Sequence, residues 1–164
     1  MAGRIHRYSV RLEWTGNRGE GTASYRSYSR DHRLSVPGKP AIEASADPAF
    51  RGDVARWNPE EMLIASLSAC HQLWYLHLAA EAGVVVMAYE DAAEGEMRES
   101  EDGGGAFERV VLRPRVTIWA KSDAAKAQAL HHDAHARCFI ARSVNFDVAC
   151  EAEIVVAAPQ SPSS

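Results

Sequence analysis

The sequence predicts an α+β fold, an antiparallel sheet packed on two main helices, and three observations carry that prediction. Short segments alternate apolar and polar residues with period two. A long apolar run from Asn58 to Gly83 carries helix start and stop signals. A second run, Ser122 to Cys138, repeats its apolar residues at helical spacing. At 164 residues the chain fits a single domain large enough to bury a substantial core, expected over residues 1–158, with residues 159–164 (PQSPSS) as a disordered tail.

From Ile5 onward Tyr8, Val10, Leu12 and Trp14 share one face, the mark of a half-buried strand. Gly16-Asn17-Arg18-Gly19 reads as a hairpin turn. Further strands are expected over Gly21 to Ser29 and His32 to Val36, since Tyr, Thr and Val suit a pleated surface, and together the three make an antiparallel meander. Pro37 to Trp57 holds three prolines, two glycines and no sustained period, so it is a long connection of the kind that usually serves function. It ends at an N-cap, Asn58, with Pro59 at the first helical position and Glu60 and Glu61 in the first turn; Asn58 and Glu61 have capping-box spacing. Gly83 stops this helix after about 24 residues, a length of roughly 36 Å. Its apolar residues cover more than one stripe, which requires that it be surrounded.

Val84 to Met97 resumes strand composition, and Glu99 to Gly105 is a charged loop. In the next strand Val110, Leu112, Val116 and Ile118 alternate with polar residues, and Pro114 within it calls for an edge or a bulge. The second helix places Leu130, Ala134 and Cys138 on one face. The last strand, Asn145 to Val156, puts Phe146, Val148, Cys150, Ile154 and Val156 in one phase.

Composition excludes several functions. A net charge of −4 without clustered Lys and Arg argues against a nucleic-acid surface. The amino-terminal residues intersperse charges and lack the apolar stretch of a signal peptide. Met62 to Ala80 is interrupted by His71, Gln72 and His77, which makes it a buried helix rather than a membrane span. Three cysteines are too few and odd in number for a disulfide scaffold, so a reducing, cytoplasmic setting is expected.

The thiols differ in setting. Cys150 follows the apolar phase of the last strand and reads as a small buried hydrophobe. Cys138 lies at a helix end beside Arg137 and near Arg142; those charges favour a thiolate and the helix carbonyls oppose it, so the sign is open. Cys70 is in mid-helix without a helix N-terminus to help it, so reactivity there needs an imported cation, for which Arg30 and Arg33 in YSRDHR are candidates.

The segment NPEEMLIASLSAC, followed by a long apolar helix and later by AHARC, resembles the OsmC/Ohr family of thiol peroxidases over most of the chain, roughly Tyr25 to the final strand. The resemblance implies an α+β subunit intertwined with a second copy as a homodimer. It implies that Cys70 is the peroxidatic cysteine, Cys138 the resolving one, Glu60 the acidic residue of the NPE element, and Arg30 the arginine beside the peroxidatic sulfur, held by Glu60. It further implies organic hydroperoxides as substrates, a dithiol reductant such as a lipoyl group, and no bound cofactor, nucleic acid or membrane. Two residues depart from the family's pattern: Phe139 stands where proline usually follows the resolving cysteine, and His71 follows Cys70 where an apolar residue is expected.

One inference is independent of the resemblance. Glu60 and Cys70 are ten residues apart on one helix, roughly 15 Å, so a site using both must combine Glu60 of one copy with Cys70 of another. Two rival readings stand beside the peroxidase. His131, His135 and Cys138 at i, i+4 and i+7, with Cys70 and His71, form a zinc-type donor set. Alternatively the same dimer is a non-catalytic small-molecule binder or redox sensor.

Overall fold

A computed structural model of the chain describes residues 3–158, which form two compact units divided between Met62 and Leu63. The expected tail, 159–164, lies outside the described residues. The α+β class holds: two helices and nine short strands are present among the described residues, and no helix is long and apolar enough to cross a membrane.

In the first unit β1 (Arg11–Trp14), β2 (His32–Ser35) and β3 (Ile42–Ala44) form an antiparallel meander in that order. The expected strand over Gly21 to Ser29 is absent. Asn17 Oδ1 accepts from Gly19 N and Gly21 N, and Ser27 Oγ donates to Gly21 O while accepting from Ser24 N. These short polar side chains satisfy the local backbone and leave it no need of a ladder. Gly16 is required where the segment closes, since a Cβ there would lie 2.0 Å from Ser29 O. The long connection is partly ordered: it contributes β3 and a short 3₁₀ turn, Pro48–Phe50. Ser45, fully buried, donates to Asp31 Oδ1 and accepts from Asp53 N, while Arg56 pairs with Glu43. Tyr8, Val10, Leu12 and Trp14, expected to be half-buried, are all exposed.

The long helix, α1 (Pro59–Glu81), begins as its caps predict. Glu61 N donates to Asn58 Oδ1 at 2.8 Å and Asn58 N donates to Glu61 Oε2 at 3.2 Å, a reciprocal capping box around a buried Asn58. Asn58→Ala is expected to cost about 1 kcal/mol, read as a lower urea midpoint at unchanged slope. The helix is not surrounded within the chain. Leu67, His71, Tyr75 and Leu78 are buried as one stripe, whereas Leu73 remains 65% exposed.

In the second unit β4 (Val86–Asp91), β5 (Glu94–Glu99), β6 (Gly105–Leu112), β7 (Pro114–Ile118), α2 (Ala124–Arg137), β8 (Asp147–Cys150) and β9 (Glu153–Val156) follow α1. They make two mixed sheets, β4-β7-β9 and β5-β6-β8, rather than one antiparallel sheet. The crossover through α2 makes β7 parallel to β9 and β6 parallel to β8. Both expected long strands break at the passage between sheets, one at Arg113 and the other at Glu151-Ala152. Pro114, which lacks an N–H, opens β7, and Asp91 Oδ1 accepts from Arg113 N at 2.7 Å beside it. The Arg113 side chain then donates to Glu94 and Glu151 across the break. Tyr75 and Leu78 of α1, Val116 and Ile118 of β7, and Leu130 and Ala134 of α2 form the main core, with Leu67, Val110 and Leu112 in a second cluster.

Candidate functional site

Helix α1 carries Cys70 partly buried on its flank, and the end of α2 carries Cys138, 1% exposed, as its C-cap. The Phe139 departure leaves this helix end intact: Cys138 N donates to His135 O, its backbone turns extended, and a short 3₁₀ turn follows at Ala141–Ser143. The Cys138 sulfur accepts from Ala141 N at 3.4 Å. Cys70 and Cys138 are neighbours and both are free thiols, the Cys70 sulfur being close enough to act on that of Cys138. Burial first, and then the Cys70 sulfur, push the Cys138 thiol up to about 11, against the opposing pull of the Ala141 N–H. The sign left open by the sequence is therefore set by burial. Arg137 lies over the Trp74 ring at 6.0 Å, and Trp74 meets Phe139 edge-on at 5.6 Å, giving an aromatic wall one turn beyond Cys70.

Arg30 and Glu60 belong to the first unit. The Arg30 guanidinium sits between the rings of Tyr25 and Tyr28, 4.2 and 4.1 Å from their centroids, and donates to the carbonyls of both residues at 2.9 Å. Cation–π contact and two backbone acceptors hold it in a fixed orientation. Arg33 pairs instead with Glu43 across β2 and β3. Glu60 has a buried Oε2 without a hydrogen-bond partner, and among the described residues no hydrogen bond or ion pair joins it to Arg30. The hold of Glu60 on Arg30 is thus not made in the single chain.

A second constellation was not expected from sequence. His71, 1% exposed, and His131, 4% exposed, place Nε2 and Nδ1 at 3.0 Å with their rings nearly parallel. The Cys150 sulfur stands 3.7 Å from the first nitrogen and 3.9 Å from the second. Tyr75 stacks on His131 at 4.1 Å and donates its hydroxyl to Ala127 O at 3.1 Å. Burial pushes both imidazoles down to about 4; for His71 the charge of His135 adds to this and that of Asp91 opposes it, and for His131 the charge of His71 adds. Burial, then Asp91 and Glu151, push the Cys150 thiol up to about 11. Cys150 is therefore more than a small hydrophobe, and the zinc-type set read from sequence is regrouped: the donors brought together are His71, His131 and Cys150. The available signal was a histidine on the buried stripe of each helix, at His71 beside Leu67 and Tyr75 and at His131 beside Ala127 and Ala134.

Residues 51–153 match the family model described as OsmC-like protein. No curated protein matches the chain. Among solved structures, the chain is similar to an OsmC-like protein of unknown function from Vibrio cholerae, with 33% identity, TM-score 0.81, and 92% of this chain and 100% of that one covered. An organic hydroperoxide resistance protein from Elizabethkingia anophelis shares the fold at 18% identity, TM-score 0.65, with 94% and 100% covered. The organic hydroperoxide resistance protein OhrB of Bacillus subtilis does so at 22% identity, TM-score 0.61, with 89% and 98% covered.

Proposed function

The chain belongs to the OsmC-like family, and from that premise we propose that it is a thiol-dependent peroxidase that reduces organic hydroperoxides. The observation that carries the reading is the nearness of a partly buried Cys70 to a fully buried Cys138 beside an aromatic wall. Burial disfavours the Cys138 thiolate, and Cys70 is the more exposed of the two sulfurs, which supports Cys70 as the attacking one. The Cys70 thiolate attacks the distal oxygen of ROOH, the O–O bond breaks, and an alcohol leaves once its oxygen takes a proton, with Cys70 left as sulfenic acid. Cys138 then condenses with that sulfenic acid, forming a disulfide and releasing water. A dithiol of the lipoyl class restores both thiols and is itself oxidised to a disulfide. Trp74, Phe139 and the exposed Leu73 favour an apolar R group. The setting this chemistry needs is a reducing one, such as the cytoplasm.

The working form in this reading is a homodimer. Three features support it: the uncovered Leu73 on α1, the bare apolar face of β1, and the partnerless buried oxygen of Glu60. Glu60 and the rigidly held Arg30 of one copy would then serve Cys70 of the other, where a guanidinium stabilises the thiolate and the departing oxygen. Light scattering is expected to give twice the chain mass at micromolar concentration; a monomer would sink the composite site. Cumene hydroperoxide should be consumed catalytically with dihydrolipoamide as donor. Inert thiols under those conditions would favour a binding or sensing role instead.

A further inference from the structure

We propose that His71, His131 and Cys150 form a site for a divalent transition cation of the zinc type, separate from the Cys70–Cys138 pair. The three donors come from α1, α2 and β8, and all their ligand atoms lie within 4.8 Å of one another. Their separations admit one ion once the two imidazoles tilt, since the facing nitrogens point at one another along the 3.0 Å contact. With metal–nitrogen bonds of about 2.0 Å and a metal–sulfur bond of about 2.3 Å, the 3.0, 3.7 and 3.9 Å edges subtend roughly 95°, 120° and 130°. These angles fall short of a full circle, so the cation stands slightly out of the donor plane and keeps a fourth position.

The donors are of the right kind. Imidazole nitrogens with one thiolate suit zinc and cobalt(II) rather than calcium or magnesium. Tyr75 stacks on the His131 ring at 4.1 Å, and the histidines, 1% and 4% exposed, are shielded from water. The local charge favours a cation. Asp91 acts on both His71 and Cys150, and its carboxylate is bonded to neutral donors, the Ser68 hydroxyl and the Arg113 backbone N–H. The Arg113 guanidinium is engaged with Glu94 and Glu151 instead. The Tyr89 hydroxyl, which senses Asp91 and Cys150, is buried and without a hydrogen-bond partner among the described residues. A cation on the facing nitrogens would put both ring protons on His71 Nδ1 and His131 Nε2, which are buried and have no hydrogen-bond partner among the described residues. Binding replaces the Cys150 S–H bond with a metal–sulfur bond and releases that proton to solvent.

Titration of the full chain with cobalt(II) alone tests the site. One equivalent is expected to bind, with the thiolate-to-cobalt charge-transfer band and ligand-field bands of a four-coordinate ion. Cys150→Ser should abolish the charge-transfer band and weaken binding at least about tenfold, while the double variant Cys70→Ser/Cys138→Ser keeps both. Loss of the band in that double variant, its survival in Cys150→Ser, or no stoichiometric binding would overturn the site. Should Cys150→Ser fail to fold, cadmium NMR of the wild-type chain reads the donor set directly: a shift for one thiolate supports the site, and one for none or two overturns it. Peroxidase activity enters none of these readouts.

Discussion

Cys70→Ser is expected to bring hydroperoxide consumption down to the uncatalysed background. Cleavage of the O–O bond requires a nucleophile that is ionised, polarisable and able to accept oxygen, and a serine hydroxyl at neutral pH is none of these. Cys138→Ser should behave differently. Cys70 still attacks once, but no thiol lies against it to condense with the sulfenic acid, so a single oxidation without donor ends at the sulfenic acid instead of a disulfide. With a donor present, turnover slows and the sulfenic acid is exposed to further oxidation. Mass spectrometry after one equivalent of cumene hydroperoxide separates the outcomes: wild type loses two thiols to a Cys70–Cys138 disulfide, and Cys138→Ser gains one oxygen on Cys70. Arg30→Ala leaves both products unchanged and slows their formation. Undiminished turnover in Cys70→Ser would end the peroxidase reading.

The parts legible in the sequence are those whose cause is local. The start of α1 follows from Asn58 and Glu61, which bond one another's backbone within a single turn, and the buried face of α2 follows from the spacing of Leu130, Ala134 and Cys138. The nearness of Cys70 to Cys138 was implied by resemblance, because the two are 68 positions apart and no periodicity links them. What stayed hidden depends on partners from elsewhere in the chain. Gly21 to Ser29 has strand-forming residues, yet its serines bond the neighbouring backbone, and β1 pairs with β2 across it. The final strand splits because its two halves join different sheets after a helical crossover, which alternation alone does not encode. The same holds for Cys150, whose apolar phase is real but whose sulfur meets histidines from two helices. An apolar stripe tells that a residue is buried and is silent on what it is buried against.

Metal-free protein is expected to lose stability steeply as the pH falls from about 6.5 to about 4. In the unfolded chain His71 and His131 take up protons near 6.5, whereas in the fold burial keeps both neutral down to about 4. Their folded values are depressed, so their contribution is fully present above pH 6.5 and is lost as the pH falls through the folded value. Each histidine gives a slope of about 1.4 kcal/mol per pH unit within that window, and the pair together about 2.8. Set against a typical total stability of roughly 5–15 kcal/mol, that is enough to unfold the chain well above the acid range. The groups facing the pair do not cancel the effect: Asp91 on β4 favours a charged His71 but His135 on α2 opposes it, His71 opposes a charged His131, and burial is the largest cause for both. Surface carboxylates such as Glu43 and Glu108, held by Arg33 and Arg98 below the usual carboxylate value, add their own loss of stability only near 4.5, at the lower end of this window. Urea midpoints of chelator-treated protein from pH 7 to pH 4.5 measure the slope. His131→Gln keeps a hydrogen-bonding side chain but removes one titrating ring, so it should halve the slope; a flat wild-type profile, or a variant as steep as wild type, would mean that the two imidazoles are not buried together as neutral partners.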